Sequence, residues 1–185
     1  MSRFSMTTAI AGAATALLLV AGAPLAGAVT SDAAEPRIVT YDASQAEEFQ
    51  AAIDEAAETW NGQVANVKLE KATDGQADLT VLADDGWPRA QTESLGVGTV
   101  WMGRQAVNEG HHIPRIATHE IGHILGLPDD RTGVCEDLMS GASAGTDCQN
   151  NLPNPTEKAQ VDENFAQGLV IAPQLFTEAP ALAGR

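Results

Sequence analysis

Basic residues are scarce in this chain. Ten Lys and Arg stand against 25 Asp and Glu among 185 residues, a formal net charge of −15. No basic stripe exists to meet phosphates, which argues against nucleic acid as a partner. An anionic membrane surface would repel such a chain. The surplus acid suits solubility, and no EF-hand spacing points it toward calcium. Cysteine is almost as scarce, with Cys135 and Cys148 alone. Zinc ligation by thiolates would need more Cys or His nearby, so an oxidising compartment favours a single disulfide closing a short Gly/Ser/Ala-rich loop. After the first 28 residues no apolar run approaches the ~20 residues of a membrane span. Internal repeats are absent.

What is present begins with an export signal. Arg3 gives a positive start, an apolar stretch runs over about 8–20, and Ala26-Gly27-Ala28 offers a small-x-small cleavage site. Residues 1–28 are therefore expected to be a signal peptide, 29–36 a short pro-segment or flexible lead, 37–167 one domain, and 168–185 a tail without clean period. The mature protein is expected to be secreted and soluble. Within the domain, strands are expected at 37–41, 64–69, 77–82 and 96–102, where β-branched or alternating apolar residues gather. Residues 84–93 read as a loop. Helices are expected over about 44–60, where Phe49, Ile53, Ala56 and Trp60 form one stripe, from about Pro114, and from an N-cap at Thr156 through about Gln167. An α/β domain follows, with a twisted, mostly parallel sheet of about four to five strands and three main helices. The strand just before the second helix could border a cleft and pair with an extended peptide.

Residues 119–129 read His-Glu-Ile-Gly-His-Ile-Leu-Gly-Leu-Pro-Asp. On a helix, His119 and His123 project from one face and can grip a single ion. Gly126 tolerates φ > 0 and can end the helix. The residue before Pro128 avoids the α region, so the chain can fold back and offer Asp129 as a third ligand. Three protein ligands leave an open position, the mark of a catalytic zinc site. Glu120 is placed to take a proton from water activated there and pass it to a leaving amine. Peptide-bond hydrolysis is the reaction expected; an acidic zinc-binding protein without turnover is the alternative.

Ten residues beyond the motif comes Leu138-Met139-Ser140, beside Cys135. His-Glu-x-x-His-x-x-Gly-x-x-Asp followed by Cys-x-x-Leu-Met-Ser resembles the snapalysin family, small secreted neutral metalloproteases of actinobacteria within the metzincin clan. The likeness takes in Val-Thr-Tyr-Asp from residue 39, Trp60-Asn61 and Cys148, and covers about 38–165. It implies a metzincin-like fold, one catalytic Zn2+ on His119, His123 and Asp129, Glu120 as catalytic base, and Met139 as the Met-turn beneath the metal. It also implies a Cys135–Cys148 disulfide and a monomer acting on protein or peptide substrates. Two departures stand out. Where the family commonly has Tyr two residues past the Asp ligand, this chain has Arg131, either an oxyanion stabiliser or a solvent-facing side chain. Where the family binds Ca2+ before the active-site helix, this chain has His111-His112-Ile113-Pro114, which disfavours calcium there. Those two histidines are a second metal site or functionally silent.

Overall fold

The structure is a computed structural model that describes residues 35–73 and 75–178. The expected signal peptide lies outside the described residues, and no described helix is long and apolar enough to cross a membrane.

The first strand, β1 (Arg37–Gln45), buries Val39, Tyr41 and Ala43 on one face, the period of two that its sequence carries. It runs past the expected end at residue 41, so the helix starts later than expected. A 3-10 turn, Glu47–Phe49, leads into α1 (Gln50–Gln63), which continues through Asn61-Gly62 for a further residue. The Asn61 side chain explains why the helix does not stop there. Its Nδ2 donates to Leu69 O, its Oδ1 accepts from Leu69 N, both at 2.8 Å, and so it ties the helix end to β2 (Val67–Lys71). Next come β3 (Leu79–Asp84), β4 (Arg89–Ser94) and β5 (Val97–Gly103), then a short α2 (Arg104–Asn108).

The metal-motif helix, α3 (Ile113–Ile124), starts at the expected proline. It packs on α1, where Trp60 Nε1 donates to Thr118 O at 3.0 Å. The last helix, α4 (Pro155–Gln167), is capped by Asn154 rather than the expected Thr156. Asn154 Oδ1 accepts from the N–H groups of Thr156 and Glu157, and the Glu157 side chain answers the cap's own N–H. Pro155 occupies the first helical position, which moves the cap one residue ahead of it.

The sheet has six strands in the order β2-β1-β3-β5-β4-β6, the sixth being Gln174–Thr177 from the tail. β1, β2, β3 and β5 are mutually parallel, while β4 is antiparallel to both β5 and β6. Two elements thus differ from expectation. The stretch read as a loop contains β4, whose sequence Arg-Ala-Gln-Thr-Glu-Ser turns only Ala90 and Thr92 inward. Ala90 is small and Thr92 polar, so no alternation of large apolar residues betrays the strand. The tail, read as irregular, contributes β6.

A 3-10 segment, Leu138–Ala144, carries the buried Met139, and Cys135 and Cys148 are bonded with Cα atoms 5.4 Å apart. Closing a loop of this length removes denatured-chain entropy worth about 3 kcal/mol. Replacing both cysteines by Ser is expected to lower the melting temperature by roughly 10 °C, read by circular dichroism under non-reducing conditions.

Candidate metal centre

On α3, His119 and His123 are both 1% exposed. Each imidazole is fixed through Nδ1. His119 Nδ1 lies 3.0 Å from Leu138 O and His123 Nδ1 2.8 Å from Leu127 O. A carbonyl only accepts, so each Nδ1 carries the proton and each Nε2 presents a lone pair. The two Nε2 atoms lie 3.1 Å apart.

Gly126 ends the helix at φ +89°, with its N–H on His123 O and Leu127 N–H on Gly122 O. The chain turns back and brings Asp129 Oδ1 to 3.5 Å from both Nε2 atoms. This oxygen is buried and has no hydrogen-bond partner. A fourth group arrives that sequence reasoning missed: Glu178, just past β6, whose Oε1 lies 3.0 Å from His119 Nε2. One ligand atom from each of His119, His123, Asp129 and Glu178 falls within 4.8 Å of all the others.

The donor set decides what fits there. Two imidazole lone pairs and two carboxylate oxygens converge; Arg131 Nη2 donates to Glu178 Oε1, while Asp129 Oδ1 has no donor. A cation satisfies acceptors that face one another, and nitrogen with carboxylate oxygen suits zinc. Without one the charges lean on protons instead. Burial works against a charged His119, yet the Glu178 and Asp129 carboxylates outweigh it and hold its pKa well above the ordinary value. Burial likewise opposes ionisation of Asp129, but the two imidazoles hold its carboxyl well below the usual range.

Glu120 is wholly buried, and neither carboxylate oxygen has a partner. Burial pushes its pKa well up, and His119 pulls it back only in part. An unsatisfied buried carboxylate beside a ligand cluster is costly to stability and therefore a candidate for chemistry.

Below the ligands lies Met139, 1% exposed. It presses on α3 at Gly122, where an added Cβ would lie 2.8 Å from Met139 Sδ and 3.3 Å from Trp60 Cζ2. A glycine inside the motif helix thus makes room for the floor. The Met139 segment is held from both sides by groups that sequence reasoning also missed. Arg115, 5% exposed, donates to Cys135 O, Asn150 O, Asp137 O and Leu138 O. Glu157 accepts from Leu138 N and Met139 N. Neither residue belongs to any spacing that marks a metal site.

Arg131 is one-third exposed at its side chain and turns inward. Its Nη2 donates to Asp129 Oδ2 at 3.2 Å, Thr177 O at 3.2 Å and Glu178 Oε1 at 2.9 Å. His111 and His112 join Trp87, Ile116, Ala142 and Glu178 around a narrow cavity of about 20 Å3 beside His119. His111 meets the Trp87 ring edge-on at 6.0 Å.

Two helix-borne imidazoles, a carboxylate delivered past a glycine turn and a buried methionine floor make a centre of metallopeptidase type. The chain belongs to the Streptomyces extracellular neutral proteinase (M7) family, whose sequence profile matches residues 37–168. The family resemblance drawn from the motif is thereby borne out. It is 38% identical over 134 residues to an extracellular small neutral protease of Streptomyces coelicolor, covering 72% of this chain and 62% of that one. To the protein of that name from Streptomyces caespitosus it is 40% identical over 132 residues, 70% of this chain and 98% of the relative. The match thus spans less than two thirds of the first relative's length and nearly all of the second's. Archaemetzincin from Methanopyrus kandleri is similar in structure with a TM-score of 0.45 and 12% identity, over 75% of this chain and 99% of that one.

Replacing Arg115 by Met keeps the apolar stem but leaves four carbonyls short of a donor. The expected loss is about 3 kcal/mol of unfolding free energy and roughly 10–100-fold in zinc affinity, measured by urea denaturation and zinc titration. Unchanged zinc affinity would remove Arg115 from the support of the centre.

Proposed function

We propose that this chain is a secreted zinc-dependent endopeptidase in which Glu120 is the general base. The observation that carries the reading is the pairing of a His119–His123–Asp129–Glu178 cluster with a buried, unpartnered carboxylate, Glu120, on the helix that carries both histidines. Membership of a proteinase family whose relatives are named extracellular supports both the class and the compartment.

His119, His123 and Asp129 would hold the ion. When bound, zinc supplies Lewis acidity toward water and toward a peptide carbonyl. Glu120 takes the proton from the attacking water and passes it to the departing amine. Both proton transfers happen out of bulk water, because the carboxylate is fully buried. Met139 and the two Nδ1–carbonyl bonds fix the ligands' orientation so that the helix need not adjust during reaction.

Substrate would lie along β4. That this edge accepts an antiparallel strand beside the ligands is supported by β6, which pairs Arg89 with Thr177 through Thr92 with Gln174. An extended peptide there needs only backbone hydrogen bonds for registration. A monomer contains every group named.

Glu120→Gln is expected to reduce casein cleavage roughly 10^2–10^4-fold while zinc content by atomic absorption stays at one ion per chain. Chelation should abolish cleavage and added zinc restore it. If neither the full chain nor one ended at Gly168 cleaves casein when zinc-loaded, the proposal fails, and a zinc-holding protein without turnover takes its place.

A further inference from the structure

The segment beyond α4 is held at its far end and little before it. Residues 168–173 have no regular structure, Val170 is 92% exposed, and Leu175 is 55% exposed even within β6. Glu178, by contrast, is 5% exposed. Its backbone N–H donates to Pro88 O at 3.0 Å, and its Oε2 accepts from Ala142 N at 2.7 Å. Its Oε1 is shared between His119 Nε2 and Arg131 Nη2. Gly141, at φ +56°, has no Cβ, and one added there would collide with the Glu178 carboxylate. Two residues earlier, the Phe176 ring stacks on His123 at 4.0 Å and 8°.

These contacts all fall on the cleft. β6 takes the backbone edge of β4 that a substrate would need. Phe176 covers one ligand. The group that reaches the ligands is a side-chain carboxylate rather than a peptide carbonyl, so the segment occupies the centre without presenting a bond to cut. It also lies beyond residue 168, where the match to the family profile ends. The Streptomyces caespitosus relative, 98% of which is matched by 132 residues, is little longer than that core.

We propose that residues 169–178 are a tethered inhibitor, with Glu178 closing the coordination position that a catalytic zinc must keep open. This rests on the peptidase reading above. Activation follows when a peptidase acting in trans hydrolyses one bond in the exposed link 168–173. One water is consumed, a carboxylate and an ammonium are left at the two new ends, and β6 is no longer tethered. A short tether holds its segment at an effective concentration in the millimolar range. Even a free-segment Kd near ~0.1 mM would then leave about one centre in ten open.

The test compares the zinc-loaded full chain, its Glu178→Gln variant and a chain ended at Gly168, with folding of each checked by circular dichroism. Casein cleavage should rise about tenfold on truncation and several-fold for Glu178→Gln, following the occupancy above. A fluorescent peptide of residues 170–180 should bind the truncated chain, lose at least tenfold in affinity when zinc is stripped, and lose a similar factor when it carries Gln at 178. Equal cleavage by full and truncated chains, or peptide binding indifferent to zinc and to Glu178, overturns the inference. Zinc-dependent peptide binding without any cleavage supports the tethered segment and overturns the peptidase reading instead. Should the truncated chain fail to fold, the Glu178→Gln full chain decides: activity no higher than that of the unmodified chain sinks the inference.

Discussion

The carbonyl of Leu138 receives Nδ1–H from His119 and an N–H from Arg115. That shared oxygen joins the two halves of the centre. Arg115 sits one turn ahead of His119 on α3, so a single helix supplies both the ligand and the clamp that positions the ligand's own support. Glu157 holds the neighbouring amides from α4, and Asp130 N–H on Met139 O ties the Asp129 turn to the same segment. A loop of small residues is thereby made rigid by charge buried on either side. Buried charges of this kind are costly unless hydrogen-bonded; the two terminal nitrogens of Arg115 find four carbonyls, while its buried Nε finds no partner.

The ligand triad was legible because helix geometry converts sequence spacing into direction: i and i+4 share a face whatever surrounds them. Gly126 and Pro128 were legible for the same reason, as local backbone constraints. Met139 and the disulfide followed from the family's pattern. Arg115, Glu157 and Glu178 were not, because each acts across 18 or more residues of sequence on backbone atoms or on side chains of other elements. Backbone atoms leave no trace in a sequence. Strand β4 escaped because its inward positions hold Ala90 and Thr92, whose small side chains bury too little apolar area to show its period. The parallel strands, buried more deeply, showed theirs.

Arg131 gains meaning from the charge balance around it. Glu120, Asp129 and Glu178 gather three carboxylates about the ligand cluster, in a chain already strongly acidic. One guanidinium bridges two of them. It does so through one nitrogen, Nη2, which reaches both carboxylates. The arginine is thereby engaged by Asp129 and Glu178 rather than turned to solvent.

A strand edge with free amides invites any passing chain to add to it, including another copy of the same protein. The cleft edge on β4 is such an edge, flanked by polar residues and built to accept backbone. With β6 laid along it, its hydrogen bonds are taken by the molecule itself. The open edge then passes to β6, four residues long against the six of β4, so the backbone offered to another copy is shortened rather than removed.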